Sequence, residues 1–347
     1  MRLIDTEKFQ LCEFFEKSIP PFAILSHTWE DNEVIFHKTL QSEMNKKLSE
    51  HPKIGRGCHL ARSEGLKYIW IDTCCIDKSS SAELTESINS MYKWYQNAQI
   101  CYVYMSDISL SVPTDSPDFK TFGSSKWFTR GWTLQELLAP EHVLFYDMDW
   151  WEIGSKFTLS DAISRACHIS EDHLLDPMSA SVAAKMSWVS RRQTTRTEDI
   201  AYCLLGLFNV NMPLIYGEGE KAFNRLQQEI IYSSSDESLF AWADENVLDG
   251  GLLAPAPSCF TNCGDIIVID YIERSPYTVT SQGLQMMLLA REEDIIYKGH
   301  STRDQWTVPL NCARESEIES PIVIHLASSW VSRIPDLCLR FWIIPRH

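Results

Sequence analysis

The sequence predicts an α/β protein: a mostly parallel sheet with flanking helices, then a helical extension and a β-rich C-terminal unit. Three observations carry this. Short apolar runs alternate with helical periodicity through about residue 150, helical signals dominate beyond it, and Gly/Pro punctuation with β-rich runs sets in near residue 250. Phe22-Ala23-Ile24-Leu25, after Pro20-Pro21, reads as a first strand running into Ser26-His27-Thr28-Trp29-Glu30. A polar helical stretch over about 36–65, broken by Pro52 and Gly55, leads to a second strand, Tyr68-Ile69-Trp70-Ile71-Asp72. Leu84, Ile88, Met91 and Tyr95 then fall on one face of an amphipathic helix over 82–98.

Residues 100–105 give a third strand, followed by a Ser/Pro/Asp-rich loop over 109–125. The segment from Trp127 to Leu138 reads as one helix stopped at Pro140, and His142-Val143-Leu144-Phe145-Tyr146 as a fourth strand. Ala222, Phe223, Leu226 and Ile230 line a last helix. Ile266-Ile267-Val268-Ile269 and Pro321-Ile322-Val323-Ile324-His325 are short β runs after Gly250-Gly251. The expected divisions are 1–150, a helical extension over 151–245, and a β-rich unit over 246–347. The sequence holds no internal repeat.

A length of 347 residues suits about two domains, and 44% hydrophobic residues suffice for packed cores. A formal charge of −16 argues against a nucleic-acid binder that works by phosphate neutralisation. It leaves room for one small anion met by a few arginines. No apolar run approaches the ~18–20 residues of a membrane span, and the charged start is unlike a signal peptide. Eleven cysteines, two of them adjacent at Cys74-Cys75, with no N-x-Ser/Thr site, point to reduced thiols in a cytosolic or nuclear protein, and a cytoplasmic one is expected.

Ser26 and His27 are strand neighbours whose side chains point to opposite faces, so they are poorly placed as nucleophile and base for one another. A thiol hydrolase built from Cys75 and His27 is a weaker reading than a buried thiol. Cys259 and Cys263 lack a second ligand pair at zinc spacing, so no metal is expected. Gly217-Glu218-Gly219-Glu220-Lys221 lacks the ending of a phosphate loop and reads as a helix-start turn. Arg191, Arg192 and Arg196 form a basic cluster, read as solvated or paired with Glu198 and Asp199. The rim of a parallel sheet is where ligands bind, and Ser26, His27, Trp29, Asp72 and Asp77 fall there. Glu136 follows a stretch rich in stacking and anion-binding groups, including Arg130 and Trp132. From spacing alone it is equally a local partner of Arg130.

Three motifs, in this order, resemble the fungal heterokaryon incompatibility (HET) domain: Phe22 to Trp29, Tyr68-Ile69-Trp70-Ile71-Asp72-Thr73-Cys74-Cys75-Ile76-Asp77-Lys78, and Trp127-Phe128-Thr129-Arg130-Gly131-Trp132-Thr133-Leu134-Gln135-Glu136-Leu137-Leu138-Ala139-Pro140. The stretch from Thr197 to Gly206, with Ile215 to Gly219, is similar to the segment that commonly follows such domains. The resemblance implies self/non-self recognition and programmed cell death. It also implies a distant likeness to TIR domains. Ser26-His27 resembles the end of their opening strand, and Ser125-Lys126-Trp127 leading to Glu136-Leu137 their glutamate helix. Trp132, four residues before Glu136, gives the tighter spacing.

In TIR enzymes that cleave NAD the helix glutamate is catalytic, so the likeness nominates Glu136. Ser26, His27, Trp29, Asp72, Cys75, Asp77, Arg130 and Trp132 become substrate-binding candidates. NAD would be substrate, with no resident cofactor. The rival expectation is a non-enzymatic module acting through self-association or recruitment of a death-signalling partner.

Overall fold

In a computed structural model the described residues are 1–15, 18–36, 41–109, 119–244, 251–273, 278–280, 283–289, 291–297, 300–327, 331–333 and 338–343. Most of the Ser/Pro/Asp-rich loop and Gly250 lie outside them. The chain divides into two compact units, each discontinuous: 1–178 with 192–217, and 179–191 with 218–347.

The first unit opens with a hairpin, β1 (Arg2–Asp5) and β2 (Gln10–Glu13), followed by β3 (Ala23–His27). The helices α1 (Gln41–Glu50) and α2 (Pro52–Ser63) lead to β4 (Tyr68–Ile71). Pro52 separates the two helices by starting the second, where its missing N–H costs nothing. Gly55 does not break the chain as expected, because it lies inside α2. A single turn, α3 (Asp72–Cys75), precedes α4 (Ser81–Asn97) and β5 (Ile100–Tyr104). Then come α5 (Phe119–Gly123), α6 (Thr133–Leu138), β6 (Val143–Tyr146) and β7 (Glu152–Ser155).

The strands form one seven-stranded sheet in the order β2-β1-β4-β3-β5-β6-β7. The central four are mutually parallel, while the hairpin and β7 add antiparallel edges. The hairpin and β7 are not among the strands read from the sequence; each is four residues long, too short for period-2 alternation to stand out. Leu3 and Ile4 are nonetheless fully buried.

The connection from β3 runs outward to β4, and the next returns past β3 to β5, so the strand order reverses between β3 and β5. That reversal opens a crevice at the carboxyl ends of the strands, the usual ligand position in open α/β sheets. The two faces of β3 serve different helices. A Cβ on Gly57 of α2 would stand 3.1 Å from Ile69 Cδ1, so α2 covers the face carrying Leu25 and His27. Trp70, beside Ile24, packs edge-on against Trp94 and Tyr95 of α4 on the opposite face, which also carries Ser26. Such aromatic pairs contribute about 0.5–1.5 kcal/mol each beyond area burial.

The unit is completed by α7 (Ser160–Cys167), α8 (Glu171–Leu175) and, after the chain has left and returned, α10 (Asp199–Tyr202). The second unit takes the intervening α9 (Val182–Val189), buried at every residue, and α11 (Lys221–Ser233). Ala222, Phe223, Leu226 and Ile230 of α11 are buried as their spacing predicts. Gly217 and Gly219, at φ of 101° and 61°, make the turn before it.

The β-rich part of this unit is antiparallel. β8 (Ile266–Val268) pairs with β12 (His300–Arg314), which lies between β11 (Arg291–Tyr297) and β13 (Pro321–Ala327). A second sheet joins β14 (Val331–Arg333), β15 (Cys338–Ile343), β10 (Gly283–Leu289) and β9 (Thr278–Thr280). Among the described residues no helix is long and apolar enough to cross a membrane.

Candidate functional site

Glu136 sits on α6, but α6 is not the long helix that its sequence suggests. Lys126–Thr129 form a 3-10 turn, and the α-helix starts only at Thr133. Lateral pairing explains the break. Gly131 N–H donates to Gln193 O at 2.8 Å and Gln193 N–H to Thr129 O at 2.7 Å, which pulls residues 129–131 out of helical geometry. A Cβ on Gly131 would lie 2.6 Å from Thr194 Cγ2, so a glycine is needed where the two segments meet.

Both ends of α6 are held by buried cations. The Arg192 guanidinium donates to Arg130 O at 2.9 Å, to Thr133 Oγ1 at 3.0 Å and to Cys167 Sγ at 3.3 Å. Lys156 Nζ donates to Leu137 O and Pro140 O at 3.3 and 2.6 Å, and burial lowers its pKa to about 8. Arg192 therefore organises backbone, which is a different task from the solvated or anion-meeting one expected of it. Arg196 lies over the Tyr216 ring at 4.3 Å.

Held in this way, Glu136 is 8% exposed and reaches the end of β3. Ser26 Oγ donates to its carboxyl, while Trp127 Nε1 donates to Ser26 Oγ at 2.8 Å, and the Tyr95 hydroxyl also bonds to the carboxyl. Burial raises the Glu136 pKa to about 8. The Ser26 bond opposes the rise, the charge of Asp72 adds to it, and Tyr95 and Arg130 oppose it. The group is thus mainly a neutral acid at pH 7, and a cation brought beside it would favour the carboxylate.

Asp72 stands at the end of β4, where its Oδ2 accepts Trp29 Nε1–H at 2.8 Å. Lys78 Nζ is 3.7 Å from the same oxygen and 3.3 Å from the centre of a Trp29 ring. Ser26, Asp72, Trp29 and Glu136 are therefore linked through contact or charge. The other candidates go elsewhere. His27 turns to the α2 face, its Nε2 3.3 Å from Glu33 Oε1. Cys75 lies in the core, its sulfur accepting Ile71 N–H at 3.5 Å. Asp77 Oδ1 accepts the N–H and hydroxyl of Ser79, within its own turn. Trp132 bonds to the buried carboxyl of Asp199, whereas Arg130 offers its backbone oxygen to Arg192 while its charge still acts on Glu136.

Four residues absent from the sequence-based candidates belong to this constellation: Trp127, Tyr95, Lys78 and Arg192. Trp127 and Lys78 stand inside the motifs themselves, and Tyr95 on the buried stripe of α4. Arg192 stands in the basic cluster with Arg191 and Arg196, where nothing in the local sequence marks it as a backbone clamp. Among the described residues no group of three or more His, Cys, Asp or Glu side chains is arranged to hold a metal ion.

A buried acid at the mouth of a reversed α/β sheet defines a class of site rather than one protein. The comparisons show a likeness to one family. Residues 22–116 match the family described as Heterokaryon incompatibility protein (HET). The chain is also similar to the vegetative incompatibility protein HET-E-1 of Podospora anserina, with 46% identity over 219 residues. That match takes in 61% of this chain but 16% of the relative's length. No solved structure matches the chain.

Proposed function

We propose that this chain acts in heterokaryon incompatibility and programmed cell death, and that its HET domain acts there as an NAD glycohydrolase with Glu136 as catalytic carboxylate. The observation carrying this reading is the Glu136 carboxyl held by Ser26 at the carboxyl end of β3, beside the strand reversal. The sheet order and the tryptophan–glutamate segment also support a TIR-like ancestry.

The chemistry needs only one carboxylate. The nicotinamide of NAD is cationic when bound and leaves neutral, so its departure requires no general acid. Loss of nicotinamide leaves positive charge on the ribose, which the carboxylate stabilises. Water then adds to the anomeric carbon and releases a proton, giving ADP-ribose. The cationic ring approaching Glu136 favours its ionised form.

The test is nicotinamide release from NAD by purified protein, at concentrations high enough to force self-association. Wild type should release nicotinamide, Glu136→Gln should lose at least 100-fold, and kcat/KM should rise with pH to a limb near pH 8. No release by folded, assembled wild type ends the enzymatic reading. A second reading has its own observation in favour: the carboxyl is buried and already satisfied by two hydroxyls. In that case Glu136 is a structural acid in a self-associating or recruiting module, and cell killing survives Glu136→Gln.

A further inference from the structure

The indole of Trp29 is fixed before any ligand arrives. Its N–H is committed to Asp72 at 2.8 Å, and Lys78 Nζ covers one face at 3.3 Å from a ring centre. Lys78 and Asp72 are largely buried, with side chains 25% and 21% exposed, while Trp29 itself remains 48% exposed. The arrangement is a flat, preorganised aromatic surface beside the Glu136 cluster, so a ring that stacks on it need not freeze a mobile side chain.

The charge behind the ring decides what stacks. An aromatic face attracts cations through its quadrupole, and here an ammonium already occupies one face. A second cation on the opposite face would lie roughly 7 Å from Lys78, and Asp72, 3.7 Å from that ammonium, offsets part of the repulsion, leaving at most about tenfold in affinity. A neutral purine meets no such repulsion and gains the stacking energy common to nucleobases on aromatic side chains.

We propose that Trp29, held by Asp72 and backed by Lys78, is a stacking platform for a neutral purine, so that a dinucleotide places its adenine there and its cationic nicotinamide towards Glu136. The orientation of NAD rests on the glycohydrolase reading; the platform itself does not.

Calorimetric titration of the full chain with AMP and with nicotinamide mononucleotide, without turnover, tests it. Wild type should bind AMP, and Trp29→Ala should weaken that binding at least tenfold. Trp29→Phe should retain it within a few-fold, since the stacking face survives. Any binding of nicotinamide mononucleotide should be indifferent to Trp29→Ala, and Lys78→Gln should bring the two ligands closer in affinity. Circular dichroism and thermal unfolding establish that each variant is folded.

AMP binding unchanged in folded Trp29→Ala, or equal losses for both ligands, overturns the platform. AMP binding that depends on Trp29, in protein that releases no nicotinamide, keeps the platform and ends the glycohydrolase reading. Nicotinamide release with AMP binding indifferent to Trp29 does the reverse.

Discussion

Ser26 and His27 are consecutive residues at the end of one strand, yet they serve buried carboxyl groups of opposite character. On the α4/α6 face, Glu136 meets hydroxyls, and burial lifts its pKa to about 8. On the α2 face, Glu33 has a side chain only 6% exposed, and burial pushes its pKa upward too. There His27 and Lys53 outweigh that push and hold the pKa at about 2. Lys53 also lies 3.0 Å from Glu30 Oε2. Burial alone therefore does not fix the charge of either group; whether cations share the cavity does. The strand's two-residue period sorts a hydroxyl-bound acid to one side and an ion pair to the other, within one peptide unit.

The largest effect that would break this contrast is expected from Lys53→Met, which leaves Glu33 buried without its lysine partner. Urea unfolding at pH 7 should show a loss of about 3–5 kcal/mol. Much of it should return when Glu33→Leu is added, because replacing both members of a buried pair is far cheaper than removing one. A smaller loss, about 1–3 kcal/mol, is expected for Ser26→Ala. It leaves the indole N–H of Trp127 and the Glu136 carboxyl each short of a partner.

The third effect is a slope rather than a single loss. Glu136 holds its proton in the folded chain up to about pH 8 and in the unfolded chain only to about 4.5. Between these values the folded state binds more protons, so stability contributed by Glu136 is complete below pH 4.5 and declines by about 1.4 kcal/mol per pH unit as pH rises to 8. Glu33 behaves oppositely. Its contribution is complete above pH 4.5 and is lost as pH falls towards 2. Unfolding curves across pH 2–9 should show the upper slope vanish in Glu136→Gln and persist in Glu33→Gln. An unchanged upper slope in Glu136→Gln would remove the case for an elevated pKa.

Local pattern was enough to find the parallel strands, the alternation that parts Ser26 from His27, and the buried stripe of α4. It failed where the deciding partner is distant in sequence. Residues 127–138 have the composition of one helix, and only the backbone of Gln193 tells residues 129–131 to leave it. Trp127 finds Ser26 across 101 positions, and Arg192 finds Thr133 across 59. Glu136 was legible through motif order, whereas the hydroxyls that set its proton affinity were not, because Tyr95 reads as core and Ser26 as a strand end.

Arg192 has a consequence for synthesis. The chain leaves the first unit after residue 178 and re-enters it at residue 192, the residue that clamps the turn before Glu136. A growing polypeptide that has passed Tyr146 already holds all four parallel strands and the acid itself, but not the guanidinium that fixes it. At ordinary translation rates of about 5–20 residues per second, that gap lasts roughly 2–10 s. Every new molecule thus carries an unlatched acid before it carries a set one.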